Sequence, residues 1–238
     1  MPNKISIPFT IYPLLLVILS TIAVRKVVAQ NTLHVISDWK EYRHQVKNDP
    51  SKKMVELSTF IPGIVYDLRY ATTNNFMKRK MYPAKTDVTY LRLPAAEALK
   101  KVQEELATTG LGLKIFDAYR PYSVTVHFWE LIKDERYVAN PAKGSGHNRG
   151  IAVDLTIIDL KSGIELDMGT GFDNFTDTAH SNFQHLDKKV IENRKLLRSL
   201  MEKNGFKVLD TEWWHFFIPG SDRYEVLDLP FKKFKKHS

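Results

Sequence analysis

Apolar positions recur at helical spacing in three stretches of the chain. In PAAEALKKVQEELATTG (94–110), Ala95, Ala98, Leu99, Val102 and Leu106 share one face, Pro94 opens the run and Gly110 supplies a stop. In PYSVTVHFWELIKDERYV (121–138), Val124, Phe128, Trp129 and Ile132 lie together. In KKVIENRKLLRSLMEKNG (188–205), the stripe is Val190, Arg194, Leu197, Leu200 and Met201, with Gly205 at its end. The spacing predicts a helix over each stretch. Runs rich in β-branched or aromatic residues lie between them: LGLKIFDA (111–118), IAVDLTIIDL (151–160), FKVLD (206–210) and WWHFFI (213–218). After Asp159, LKSGIEL marks a hairpin turn at Lys161 to Gly163. Helices and hairpins in one unit predict an α+β fold, a mainly antiparallel sheet flanked by helices. No repeat, low-complexity block or linker divides the chain, so one domain from about residue 33 to 230 is the simplest organisation.

The amino terminus departs from this pattern. Lys4 precedes twenty uncharged residues, Ile5 to Val24, and Arg25, Lys26 and VVAQ follow. A basic start, an apolar centre and small residues at Val27 and Ala29 read as a secretory signal over residues 1–29, cut after Ala29. The run is also close to the length of a membrane span, which leaves an uncleaved anchor as the alternative. Either way the domain, residues 30–238, is expected outside the cytoplasm, in the periplasm. Membrane contact is expected only through residues 1–29, if they are retained.

Composition is that of a globular protein: 43% hydrophobic and 26% charged over 238 residues. Without Lys4, Arg25 and Lys26 the net charge falls from +8 to +5. Four lysines of that excess sit in FKKFKKHS at the carboxyl end, read as a solvated tail. No basic stripe with interleaved aromatics is present, which argues against a nucleic-acid partner. There is no cysteine. Disulfides, thiol catalysis and cysteine-type zinc sites are therefore excluded, and any metal must be held by His, Asp and Glu.

Candidate chemistry gathers in two places. GSGHNRGIAVDL (144–155) puts His147 on a glycine-flexible entry loop and Asp154 inside an apolar strand. A buried carboxylate is costly unless it is paired or bound to a metal. DTEWWHFFI (210–218) adds Glu212 and His215, three apart. Regular strand alternation sends those two to opposite faces, whereas a bulge or tight turn would bring them together. His147 and Asp154 could be two metal ligands and His215 could complete a set of three that leaves a position for water; Glu212, if not itself a ligand, could take the proton of that water. Singly, each half could be core packing. A third element, FDAYRP (116–121), places Asp117 and Arg120 where a strand gives way to a helix. Arg120 could stabilise an oxyanion, or the Asp–Arg pair could only fasten the loop.

These residues match a known pattern. Ser145-x-His147-x-x-Gly150-x-Ala152-x-Asp154, followed by Glu212-x-Trp214-His215, resembles the signature of the zinc D-alanyl-D-alanine peptidases. That group shares its fold with the amino-terminal signalling domain of hedgehog proteins. VYDLRYATTNNF (65–76), LKIFDAYRP (113–121), NRKLLRSLMEKNGF (193–206) and EWWHF (212–216) are similar to the D-alanyl-D-alanine dipeptidase branch in particular. The likeness covers roughly residues 56–230.

The resemblance implies a D,D-peptidase/hedgehog-like fold and one zinc ion on His147, Asp154 and His215. It implies Glu212 as general base and acid, Arg120 as transition-state stabiliser, and Ser145 and Tyr70 in the substrate pocket. Gly146 and Asn148 stand where serines are common, and neither is a ligand position. The implied activity is zinc-dependent hydrolysis of D-alanyl-D-alanine to two D-alanine, within peptidoglycan metabolism, in a short, closed pocket. Two alternatives stand beside it: a D,D-carboxypeptidase trimming stem peptides, and a zinc-bearing interaction module without catalysis. A metal on His180 and His185 of HSNFQH ranks below these, because a spacing of five suits neither a helix face nor a strand face.

Overall fold

The computed structural model of the chain describes residues 33–235; the amino-terminal run lies outside them. β1 (Val35–Ile36) leads to α1 (Trp39–Asn48), where the Asp38 carboxylate accepts from the Lys40 and Glu41 N–H groups as an N-cap. β2 (Met54–Glu56), α2 (Leu57–Phe60) and β3 (Val65–Tyr66) follow. β4 (Tyr90–Arg92) runs straight into α3 (Leu93–Ala107), whose buried face holds Ala95, Leu99, Val102 and Leu106. Gly110, at φ +76°, turns the chain into β5 (Leu111–Asp117). Then come α4 (Tyr122–Ile132), the one-turn α5 (Gly146–Arg149), and β6 (Ala152–Asp159). α6 (Lys188–Lys203), β7 (Lys207–Leu209), β8 (Glu212–Phe217), β9 (Val226–Leu227) and α7 (Phe231–Lys235) complete the described chain.

The main sheet has the order β3-β5-β6-β8-β7. Only β3 runs parallel to its neighbour; the other pairings are antiparallel. The α+β expectation is met, and the turn after β6 lies where LKSGIEL placed it, with Gly163 donating to the Asp159 carbonyl at 2.8 Å. Strand alternation divides β6 into two faces. Val153, Leu155 and Ile157 join Leu99, Val102, Leu197 and Met201 in one core beneath α3 and α6. Ala152, Asp154 and Thr156 face the other way and are also buried. The strand is thus covered on both faces, which is why it reads as a nearly unbroken apolar run. A second, aromatic core joins Tyr42, Tyr90, Tyr119, Phe231 and Phe234. Among the described residues no helix is long and apolar enough to cross a membrane.

Three readings from sequence need correction. The helix expected over 121–138 ends at Ile132, because Lys133 adopts a left-handed conformation (φ +52°) and closes it. The stretch around His147 is a capped helical turn rather than a loop: the Ser145 hydroxyl accepts from the Asn148 N–H, and the Asn148 side chain accepts from the Ser145 N–H. The carboxyl-terminal segment is not simply solvated, since Phe231 and Phe234 are buried and only its lysines face outward.

Candidate active site

Two bulges set the site. In a regular ladder, Asp117 would stand opposite Val153, on the helix-covered face. Instead Ile115 pairs with Leu155 and Asp117 with Asp154, so β5 carries Phe116 as an extra residue. The slip moves Asp117 to the face that holds Asp154. On β8, His215 pairs with Asp154 from one side. On the other side Val208 pairs with Phe216, but Leu209 pairs with Glu212, leaving three residues of β8 bulged out. The bulge returns Glu212 to the side of His215, and its Oε2 lies 3.8 Å from His215 Nδ1. The expected break in alternation is therefore present.

α5 delivers the remaining histidine. Gly150, at φ +71°, turns the chain from α5 into β6, and a Cβ there would lie 2.7 Å from the Met54 side chain. His147 Nδ1 lies 2.7 Å from the Ala118 carbonyl. A carbonyl only accepts, so Nδ1 carries the proton and Nε2 presents its lone pair to the site. That Nε2 is 3.3 Å from His215 Nδ1 and 3.4 Å from Asp154 Oδ2, while Asp154 Oδ1 is 2.9 Å from His215 Nδ1.

These distances test the fit of a metal. One donor atom from each of His147, Asp154 and His215 lies within 4.8 Å of the others. A tetrahedron with bonds of about 2.0–2.1 Å has edges of roughly 3.3 Å, close to the separations of His147 Nε2 from its two neighbours. The donor set of two nitrogens and one oxygen, with an open side, is that of a catalytic rather than a structural zinc site. Burial would raise the Asp154 carboxyl, but the two imidazoles outweigh it and hold the group below the usual carboxylate range. His180 and His185 belong to no such group among the described residues.

The seven residues that the resemblance assigns to the site line one cavity of about 320 Å³: Tyr70, Arg120, Ser145, His147, Asp154, Glu212 and His215. Arg120 is paired with Asp117 and also reaches the cavity. Its Nε and Nη2 donate to Asp117 Oδ2 at 3.0 and 2.6 Å, and the rest of the guanidinium borders the cavity. Tyr82 donates its hydroxyl to the other Asp117 oxygen. Asn148 ties this corner to α5: its Nδ2 donates to the Arg120 carbonyl at 2.9 Å and to Thr125 Oγ1 at 2.8 Å. Burial raises the Glu212 carboxyl above its ordinary value, with the charge on His215 acting against the shift. A carboxyl raised in this way is a better acceptor for a proton than an ordinary exposed carboxylate and can later return it.

Sequence reasoning missed Asp173. It sits in the long segment between β6 and α6, at φ +59°, and lines the same cavity. Tyr70 donates its hydroxyl to Asp173 Oδ1 at 3.0 Å. Oδ2 is buried and has no hydrogen-bond partner. Burial, and then the charge on Asp154, hold this carboxyl well above its usual range. A cation entering the cavity is the partner that would return it to the carboxylate.

The chain is similar to known proteins over most of its length. Residues 50–237 match the family model Peptidase_M15, described as D-ala-D-ala dipeptidase. The D-alanyl-D-alanine dipeptidase of Escherichia coli (strain K12) is 34% identical over 182 residues, covering 76% of this chain and 93% of that protein. The D-alanyl-D-alanine dipeptidase of Enterococcus faecium is 31% identical over 197 residues, covering 74% and 96%. Among solved structures, the LD-carboxypeptidase LdcB covers 77% of each chain at 20% identity with a TM-score of 0.41, too slight a likeness to add to the argument. On the family match and the two relatives, the chain belongs to the M15 metallopeptidases, in the D-alanyl-D-alanine dipeptidase family.

Proposed function

We propose that the chain hydrolyses free D-alanyl-D-alanine to two D-alanine, with one zinc ion held by His147, Asp154 and His215. When bound there, zinc would act as a Lewis acid and favour deprotonation of a water. Glu212 takes the proton of the attacking water and passes it to the departing amine as the C–N bond breaks. Arg120 donates to the oxygen that gains charge in the tetrahedral stage; Asp117 and Tyr82 hold its guanidinium in place beforehand. Ser145 and Tyr70 border the substrate, Tyr70 acting through Asp173. Release of D-alanine ties the activity to peptidoglycan metabolism.

Asp173 carries the choice of a dipeptidase over a carboxypeptidase. An unpartnered carboxylate oxygen beside the metal group suits the ammonium of a free dipeptide. A stem peptide has a neutral amide at that position, which can donate a hydrogen bond but brings no charge to match Asp173. Asp173→Asn is therefore expected to raise KM for D-alanyl-D-alanine by roughly ten- to hundredfold, the value of a hydrogen bond to a charged group, with bound metal unchanged. Steady-state kinetics and metal analysis check this. An unchanged KM would remove the argument for the dipeptide.

We further propose that residues 1–29 are a signal peptide and that the mature chain works outside the cytoplasm, in the periplasm. The uncharged run Ile5 to Val24 and the small residues before Gln30 support this. The mass of the protein recovered from cells should correspond to a chain starting at Gln30. A mass that retains residues 1–29 would make the segment an anchor instead.

A further inference from the structure

The catalytic cavity has a neighbour. A second cavity of about 350 Å³ adjoins it, and Tyr137, Phe175 and Glu212 line both. Asp177 and His180 line only the outer one. Glu135, Arg136 and Thr211 also line both, so the shared wall is part charged and part aromatic, its rings being Tyr137 and Phe175. The Phe175 ring meets Tyr137 edge-on at 4.9 Å and Phe76 at 5.1 Å. Phe76 stacks on Phe128 at 5.8 Å, and Phe128 meets Tyr70 at 4.9 Å. The Arg120 guanidinium lies over the Tyr70 and Phe128 rings. A continuous run of rings thus leads from the catalytic arginine to the mouth.

Phe76, Tyr137 and Phe175 come from three loops, and each loop turns through a left-handed residue that is not glycine: Lys78 at φ +52°, Lys133 at φ +52° and Asp173 at φ +59°. Such conformations are uncommon in non-glycine residues and persist where the surroundings enforce them. Tyr137 nonetheless keeps 38% of its surface exposed, so it stands at the rim of the cavity rather than in a core. Asp173 and Phe175 are two residues apart on one loop. Anything attached to an amine held at Asp173 would meet the Phe175–Tyr137 wall.

We propose that the Tyr137–Phe175 pair is a specificity-determining partition that closes the inner cavity to peptides extended at the amino end. The outer cavity, with Asp177 and His180, is where such an extension lies once the partition is opened. This rests on the reading of D-alanyl-D-alanine as the substrate. Opening the wall gives space but does not restore the lost ammonium at Asp173, so the extended peptide gains relative to the dipeptide without overtaking it.

The test is kcat/KM for D-alanyl-D-alanine and for the tripeptide L-Ala-D-Ala-D-Ala, in the wild-type chain, Phe175→Ala and Tyr137→Ala. The tripeptide-to-dipeptide ratio should rise by at least about tenfold in Phe175→Ala and move the same way in Tyr137→Ala. Tyr137 is partly exposed, so its truncation gives a folded variant should Phe175→Ala fold poorly. A wild type that cleaves the dipeptide, with the ratio unchanged in the variants, overturns the partition alone. A wild type that prefers the tripeptide overturns the substrate reading and the partition with it.

Discussion

Glu212→Gln is expected to lower kcat on D-alanyl-D-alanine by on the order of 10²–10⁴, the range supplied by a positioned general base. Bound metal should stay at the wild-type level, and KM should change little. The substitution keeps the volume of the side chain and removes only its ability to take a proton. Glu212 lies 3.8 Å from His215 Nδ1 but is outside the group of three donor atoms that converge. A residue that merely supported His215 would, when changed, reduce metal binding first. Loss of kcat with metal retained is the signature of a base; loss of both together would make Glu212 a ligand or a prop. Full activity in Glu212→Gln would favour neither role and would contradict the account of the bulge, whose visible effect is to bring this carboxylate to the site.

His147→Ala is expected to abolish both bound metal and measurable activity, whereas His180→Ala keeps the metal. His147 is buried, and its ring is fixed by the Ala118 carbonyl at 2.7 Å. Without it, two donors remain, too few to hold zinc tightly in competition with water. Because metal binds the folded state, its loss should also appear as a lower melting temperature that added zinc no longer raises. Truncation of a buried ring leaves a void and costs stability of its own, so the informative reading is the zinc response. Metal content by elemental analysis and melting with and without zinc check both halves.

Three of the residues that line the cavity were legible because they are expensive where they stand. Asp154 interrupts an apolar strand, and His215 and Glu212 interrupt an aromatic one, so the sequence announces a reason to bury charge there. α3 and α6 were legible from their stripes, and even the buried Arg194 fell on its stripe: it donates to the carbonyls of Met168, Thr178 and His180. Asp117 shows a limit. Its type and place at a strand end were visible, but the face it occupies depends on one bulged residue, Phe116, that no local pattern marks. Asp173 was invisible for a deeper reason. It belongs to a segment without periodicity, and its role arises only when that loop packs over Tyr70.

The ends of elements were harder than their centres. α4 stops at Lys133 through a left-handed lysine, where neither Gly nor Pro gives warning. α1 buries only Tyr42 among its ten residues, which leaves too thin an apolar stripe to be read from spacing. In the carboxyl-terminal segment the lysines dominate the composition and hide two phenylalanines, three apart, that pack into the aromatic core.

The most direct test of the central claim is release of D-alanine by the purified, zinc-loaded chain from free D-alanyl-D-alanine and, separately, from a pentapeptide stem ending in D-alanyl-D-alanine. The account gives two equivalents of D-alanine from the dipeptide, loss of that activity on chelation and recovery with zinc, and little release from the stem. Release from the stem alone, or release from the dipeptide that survives complete removal of metal, would contradict it.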